Sequence, residues 1–200
     1  MIWPKQITNL IEVFSKFPQI GPKTAQRFVF WLLKKEKKDL EKFSQMIKDL
    51  TAIEVCQLCG NYTQGKICPI CQDKTRDKSI LCLVSTPSEL QTIEQTKKYS
   101  GLYFILGGLI DSLEDDKIKE IRIDDLLKRL KQDKIKEIIF AFSPTIEGET
   151  TLLYLEDIIK KKFPKIRLSK LARGISLGTH LEYADEVTLG EAIKKREKIK

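Results

Sequence analysis

The sequence predicts an α+β chain built in several parts: a helical N-terminal domain, a small four-cysteine finger, an α/β domain with a parallel-rich sheet, and a C-terminal segment with a tail helix. Three observations carry this prediction. Apolar residues ahead of position 55 recur with helical spacing. Four of the five cysteines fall between positions 56 and 71. Beyond them, short apolar runs alternate with helical ones, the order that builds a parallel sheet with helices on both faces. The predicted parts are residues 1–54, 55–73, 79–174 and 175–200.

In the first part, Ile7, Leu10, Ile11 and Phe14 follow the i, i+3, i+4, i+7 template, with Pro4 tolerable in the first turn. Ala25, Phe28, Val29 and Leu32 repeat it, and Leu40, Phe43, Ile47 and Leu50 give a third helix. In the α/β part, strands are predicted over 80–84, 102–106 and 137–142, with a weaker one at 166–168. Thr86-Pro87-Ser88-Glu89 reads as a capping box with proline at the first helical position, opening a helix to about residue 96. Further helices are predicted over 124–132 and 149–162. The lysine runs at 34–38 and 160–162 read as solvated helix ends, and no internal repeat is present.

An apolar fraction of 42% supports a packed core, and 32% charged residues suit a water-exposed surface. No window approaches the ~18–20 uninterrupted apolar residues of a membrane span. Met1-Ile2-Trp3-Pro4-Lys5 lacks the basic-then-apolar layout of a signal peptide, so a cytoplasmic location is expected. The net charge of +8 is localised: residues 1–50 carry +5, residues 189–200 carry +3, and the middle sums to zero. Basic ends on a neutral body suit a polyanion partner, although lysine-rich composition alone gives the same total.

Cys56-x2-Cys59-x8-Cys68-x2-Cys71 supplies the first motif. Each CxxC turn aims two thiolates at one point, and two such turns complete a tetrahedral sulfur shell for Zn²⁺. Gly60 and Gly65 lie between the pairs, where a short hairpin needs residues that accept positive φ. A disulfide framework is the competing reading, but it belongs to small secreted domains. A redox motif would need only one pair. With Cys56, Cys59, Cys68 and Cys71 all bound, no coordination position stays open, so one Zn²⁺ per chain is expected to be structural. Cys82, inside an apolar run, is expected to be a buried small hydrophobe.

Between the first two helices lies Phe17-Pro18-Gln19-Ile20-Gly21-Pro22-Lys23-Thr24-Ala25-Gln26-Arg27. Gly21 can serve as N-cap and Pro22 as first helical residue, leaving backbone N–H groups free for phosphate. Lys23 and Arg27, four apart, share one face and can grip neighbouring phosphates. The stretch resembles a helix-hairpin-helix, a sequence-neutral DNA module, with Gln19 standing where such hairpins commonly carry their first glycine. An ordinary αα-hairpin with surface lysines is the plainer alternative.

Strands 80–84 and 138–142, the loop before Pro87 and the Gly107-Gly108 turn resemble a Toprim domain, the fold of topoisomerases and primases. Catalytic members hold Mg²⁺ with a glutamate after the first strand and an Asp-x-Asp after the later one. Here the first position is Ser85, and the later strand runs into Phe142-Ser143-Pro144-Thr145. Two neutral side chains do not replace carboxylates, so no enzyme is expected.

Taken in order, these parts make the whole chain resemble the RecR recombination-mediator family. The likeness is carried by Ile20 to Arg27, the four cysteines, Tyr103-Phe104-Ile105-Leu106-Gly107-Gly108 and Ser143-Pro144-Thr145-Ile146-Glu147-Gly148-Glu149. Ala172-Arg173-Gly174-Ile175 and Leu181-Glu182-Tyr183-Ala184-Asp185-Glu186-Val187-Thr188-Leu189 add to it. Thr179 and His180 depart from the family pattern, which has a glycine and an acid there. The resemblance implies a DNA-binding mediator of recombinational repair. It implies action with RecO, and often RecF, on gapped or single-stranded DNA, as a homo-oligomeric dimer or tetramer ring near the nucleoid. It also implies that Glu147 and Glu149, expected in the loop before a helix starting near 149, contact RecO. The opposing reading is a Toprim nuclease or nicking enzyme that binds metal through the same two glutamates.

Overall fold

The computed structural model describes residues 2–111, 121–172 and 174–196. Arg173 and the basic residues beyond 196 that entered the sequence reading lie outside them. The chain divides into two compact units, Met1–Ile53 and Glu54–Lys200.

The first unit is helical. Helix α1 (Lys5–Ser15) packs against α2 (Pro22–Leu32), and α3 (Lys37–Asp49) runs into a short 3₁₀ turn at Leu50–Ala52. Ala25 and Val29 are the buried residues of α2. Phe14 closes the hairpin edge-on against Phe17 and Phe28, at ring separations of 5.6 and 6.2 Å. Trp3 packs on Phe30 at 5.2 Å. No residue of α3 is buried, so its apolar stripe of Phe43, Met46 and Ile47 faces outward.

The second unit begins with a two-stranded antiparallel hairpin, β1 (Glu54–Val55) and β2 (Tyr62–Thr63), followed by the single turn α4 (Pro69–Gln72). Next come β3 (Asp77–Val84), α5 (Pro87–Gln95), β4 (Gly101–Ile105), α6 (Ile123–Gln132), β5 (Glu137–Phe140), α7 (Ile146–Lys162) and β6 (Arg167–Lys170). A 3₁₀ turn at Leu181–Tyr183 precedes the tail helix α8 (Glu186–Lys194). Strands β3 to β6 form one sheet in the order β4-β3-β5-β6, with every neighbouring pair parallel.

Strand alternation sorts side chains onto two faces. Leu81, Leu83, Leu102, Phe104, Ile138 and Phe140 point to one side, where α6 and α7 supply Leu126, Leu130, Leu155 and Ile159. Cys82, Val84, Tyr103, Ile105 and Ala141 point to the other, under Leu90 of α5 and Ile70 of the cysteine segment. Cys82 is buried, and desolvation pushes its thiol up to about 12.

Thr86 caps α5 as expected: its Oγ1 accepts from the Glu89 N–H at 3.4 Å, while the Glu89 carboxylate receives the Thr86 N–H at 3.3 Å. Several boundaries differ from expectation, among them the start of β3 at Asp77 rather than 80 and the end of β6 at Lys170 rather than 168. Two of them border the candidate site. β5 stops at Phe140 rather than 142, because the chain must turn toward the next helix. That helix starts at Ile146, three residues before the expected 149, because the Thr145 hydroxyl caps it by accepting from the Gly148 N–H at 3.2 Å. Gly148 also allows a close approach, since a Cβ there would fall 2.0 Å from the Ser143 carbonyl oxygen.

Candidate functional site

The cysteine segment folds as two turns facing each other. The Sγ atoms of Cys56, Cys59, Cys68 and Cys71 all lie within 4.8 Å of one another. Cys59 and Cys68 are 3.5 Å apart, and every cysteine is a free thiol. A tetrahedron around Zn²⁺ with 2.3 Å bonds has sulfur–sulfur edges of about 3.8 Å, so this donor set fits the ion. The Cys68 N–H donates to Cys56 Sγ at 3.3 Å and the Asn61 N–H donates to Cys59 Sγ at 3.4 Å. Such backbone donors offset thiolate charge. Burial alone would raise the Cys56 thiol, but N–H groups of Cys68, Cys59 and Leu58 outweigh it and bring the thiol down to about 7. The side-chain hydrogen bond with Cys71, then burial, push Cys59 upward, and burial foremost raises Cys68 to about 11. A divalent cation relieves this crowding of sulfur charge. Three of the four cysteines are buried and all four donors are protein atoms, so the zinc is structural.

This module is bolted to the sheet. Strand β4 is an edge strand, and the Ile105 N–H donates to the Cys59 carbonyl at 2.7 Å. Arg129 of α6 is only 6% exposed, and its Nη1 donates to the carbonyls of Leu58 at 3.0 Å and Tyr103 at 2.8 Å. Arg122 reaches the Ile105 carbonyl from beside Gly60, whose φ is 84° and whose Cβ would fall 1.9 Å from Arg122 Nη1. Gly65 takes no such φ, so only one of the two predicted glycines meets a left-handed requirement. Below the module, Arg76 donates two hydrogen bonds to Glu94, at 3.0 and 2.5 Å, and Tyr103 Oη donates to the same carboxylate at 2.7 Å. The Arg76 guanidinium is the chief reason that the Glu94 carboxyl sits below its usual range.

At the C-terminal ends of β3 and β5, where catalytic Toprim domains carry acids, the chain has a different network. Ser85 is buried, and its N–H and Oγ both donate to Glu89 Oε2 at 2.7 Å. Ser143 Oγ donates to Glu89 Oε1 at 3.3 Å. One glutamate thus ties the two strand ends together with both oxygens occupied. Sequence reading found Glu89 as a helix cap and missed this bridge.

Glu147 and Glu149 lie in the first turn of α7, not in a preceding loop. The Glu147 carboxyl is held below its usual range by its own backbone N–H, then by the Thr145 hydroxyl. Glu149 faces Lys170 of β6 at 3.7 Å. The two border a cleft of about 650 Å³ only through Glu149, with Phe142, Lys170 and Val187 among its walls. Among the described residues, the four cysteines are the cluster of His, Cys, Asp and Glu side chains able to hold a metal.

In the helical unit, Gly21 caps α2 with no side-chain cap and Pro22 occupies its first turn, leaving N–H groups open at that end. Lys23 and Arg27 are both exposed. Gln19, in the glycine's place, takes a left-handed φ of 62°. His180 lies exposed in the loop before the tail helix, edge-on to Tyr183 at 6.1 Å. Among the described residues no helix is long and apolar enough to cross a membrane.

Comparison with known proteins follows this anatomy part by part. A model of the RecR helix-hairpin-helix matches residues 7–51, one of the RecR four-cysteine zinc finger domain matches 55–73, one of the Toprim domain matches 79–172, and one of the RecR C-terminal region matches 174–197. The chain is 40% identical over 191 residues to Recombination protein RecR of Bifidobacterium longum subsp. infantis, covering 95% of this chain and 94% of that one. It is also 40% identical over 197 residues to Recombination protein RecR of Staphylococcus aureus strain JH9, covering 98% of each. With its helical hairpin, four-thiol zinc site and parallel sheet all in the matching order, the chain belongs to the RecR family.

Proposed function

We propose that this chain is a DNA-binding recombination mediator, without catalytic activity of its own, that acts in recombinational repair of gapped or single-stranded DNA. Its partners in this reading are RecO and, where a cell has it, RecF, and it works as a homo-oligomeric ring. The carrying observation is the end-to-end likeness to proteins named Recombination protein RecR, combined with a Toprim centre that has Ser85 and Ser143 in place of metal-binding acids. The open N-terminus of α2 supports a role for Lys23 and Arg27 as phosphate contacts that read backbone rather than bases. The uncovered apolar stripe of α3 supports self-association. Glu147 and Glu149 place two negative charges at the start of α7, and in this reading they steer a basic RecO surface.

The test is binding of gapped DNA and of RecO by the wild-type protein and by Lys23→Ala and Glu147→Gln. Lys23→Ala is expected to weaken DNA binding alike across sequences and to lower the salt slope by about one unit. Glu147→Gln is expected to weaken RecO binding and spare DNA binding. Mg²⁺-dependent cleavage of single-stranded or plasmid DNA by the pure protein would replace this reading with a nuclease. A solution mass equal to one chain, with and without DNA, would remove the ring.

A further inference from the structure

The outer face of α2 carries a feature that a phosphate grip does not use. Lys23, Arg27 and Trp31 are spaced four apart and form one gently winding ridge, with Lys34 and Lys35 just beyond the helix. The opposite side, Ala25 and Val29, is the buried one. Trp31 is 57% exposed, more than any other described aromatic side chain of this unit. Phe14, Phe17, Phe28, Phe30 and Trp3 are all taken up in ring pairs within the hairpin. The ring of Trp31 instead lies under the Lys35 ammonium, which is 4.2 Å from its centroid. No acidic residue occurs in α2. Core packing therefore does not account for the position of this indole.

A wet aromatic ring between cations matches what a single strand of nucleic acid offers: phosphates to follow the cations, and unpaired bases with free faces to stack. A protein partner covering the ring would have to bury the charges of Arg27 and Lys35 beside it, whereas a polynucleotide supplies the counter-charge itself. In a duplex, the base faces are already stacked on one another. We infer that Trp31 is a base-stacking platform, making the exposed ridge of α2 a binding surface for single-stranded nucleic acid. This rests on the DNA-binding reading above and adds strand selectivity to it.

The test uses the full chain with Trp3→Phe, which leaves Trp31 as the one tryptophan of the two in the sequence. Oligothymidine is expected to quench its fluorescence, while inorganic polyphosphate and a duplex of equal phosphate number quench it far less. Replacing Trp31 by Ala is expected to weaken oligothymidine binding about tenfold, with the salt slope and duplex affinity unchanged; Trp31→Phe should restore most of the loss. Equal affinity in wild type and Trp31→Ala, with Lys23→Ala impaired, overturns this inference and leaves the DNA-binding reading standing. A drop in solution mass of Trp31→Ala, with its affinity per assembled particle intact, overturns it in favour of a subunit contact. Absence of DNA binding by the wild type overturns both readings.

Discussion

Replacing Arg129 by methionine tests how firmly the zinc module is held to the sheet. Methionine keeps the apolar stem of the side chain and deletes the guanidinium. Three hydrogen bonds go: those to the carbonyls of Leu58 and Tyr103, and one from Nε to Asp133 at 3.0 Å. Asp133 is 41% exposed, so its carboxylate returns to water and that pair contributes little. The two carbonyls differ. Hydrogen bonds from a charged donor contribute about 1.5–3 kcal/mol each, and a buried acceptor left dry adds to the loss. Removing a desolvated charge offsets part of this. The net expectation is a destabilisation of about 2–3 kcal/mol for the zinc-loaded protein. Urea unfolding followed by circular dichroism reads it as a lowered midpoint with an unchanged slope. Hydrogen exchange gives the local readout, because the Ile105 amide bonded to the Cys59 carbonyl should exchange faster once the clamp is gone. A loss below about 1 kcal/mol, with Ile105 exchange unaltered, would refute the clamp.

Cys59→Ala should bring zinc well below one ion per chain by elemental analysis and leave a loosely folded, aggregation-prone second unit, since metal binding contributes directly to folding. Gln19→Gly should stabilise the helical unit by about 0.5–1 kcal/mol in thermal unfolding: a left-handed non-glycine residue costs about 1–2 kcal/mol, and the greater freedom of unfolded glycine takes part of that back. Glu94→Gln should cost about 1–2 kcal/mol near neutral pH by weakening the bonds from Arg76 and Tyr103. Because the folded Glu94 carboxyl is depressed, its contribution is complete above the ordinary glutamate range and is lost as pH falls through the lowered value. The difference between wild type and Glu94→Gln should therefore shrink in acid below about pH 4, and a difference that grows there would contradict the ion pair.

Much of the architecture was legible because it is local. The Thr86 capping box, the proline at the start of α2 and the two CxxC turns each involve residues a few positions apart, and they formed as the spacing required. The misplaced start of α7 also has a local cause. Thr145 and Glu149 both suit a helix start, and periodicity alone gave no reason to prefer the threonine, which wins because its hydroxyl reaches the Gly148 N–H. Moving that boundary puts Glu147 and Glu149 on a helix, where backbone dipoles favour negative charge whatever partner they meet.

The sequence by itself determined the order of the parts, the metal-binding quartet, the alternating faces of the strands and the absence of acids at Ser85 and Ser143. Each of these depends on residue type and short spacing. Only the tertiary structure decided what replaces the acids and what holds the finger in place. Glu89 meets Ser143 across 54 residues of chain, and Arg129 meets the Leu58 carbonyl across 71. Such pairings depend on which strands neighbour one another, and the order β4-β3-β5-β6 is not that of the sequence. The Arg129 clamp also uses backbone carbonyls, which every residue carries alike, so no residue type marks them in advance.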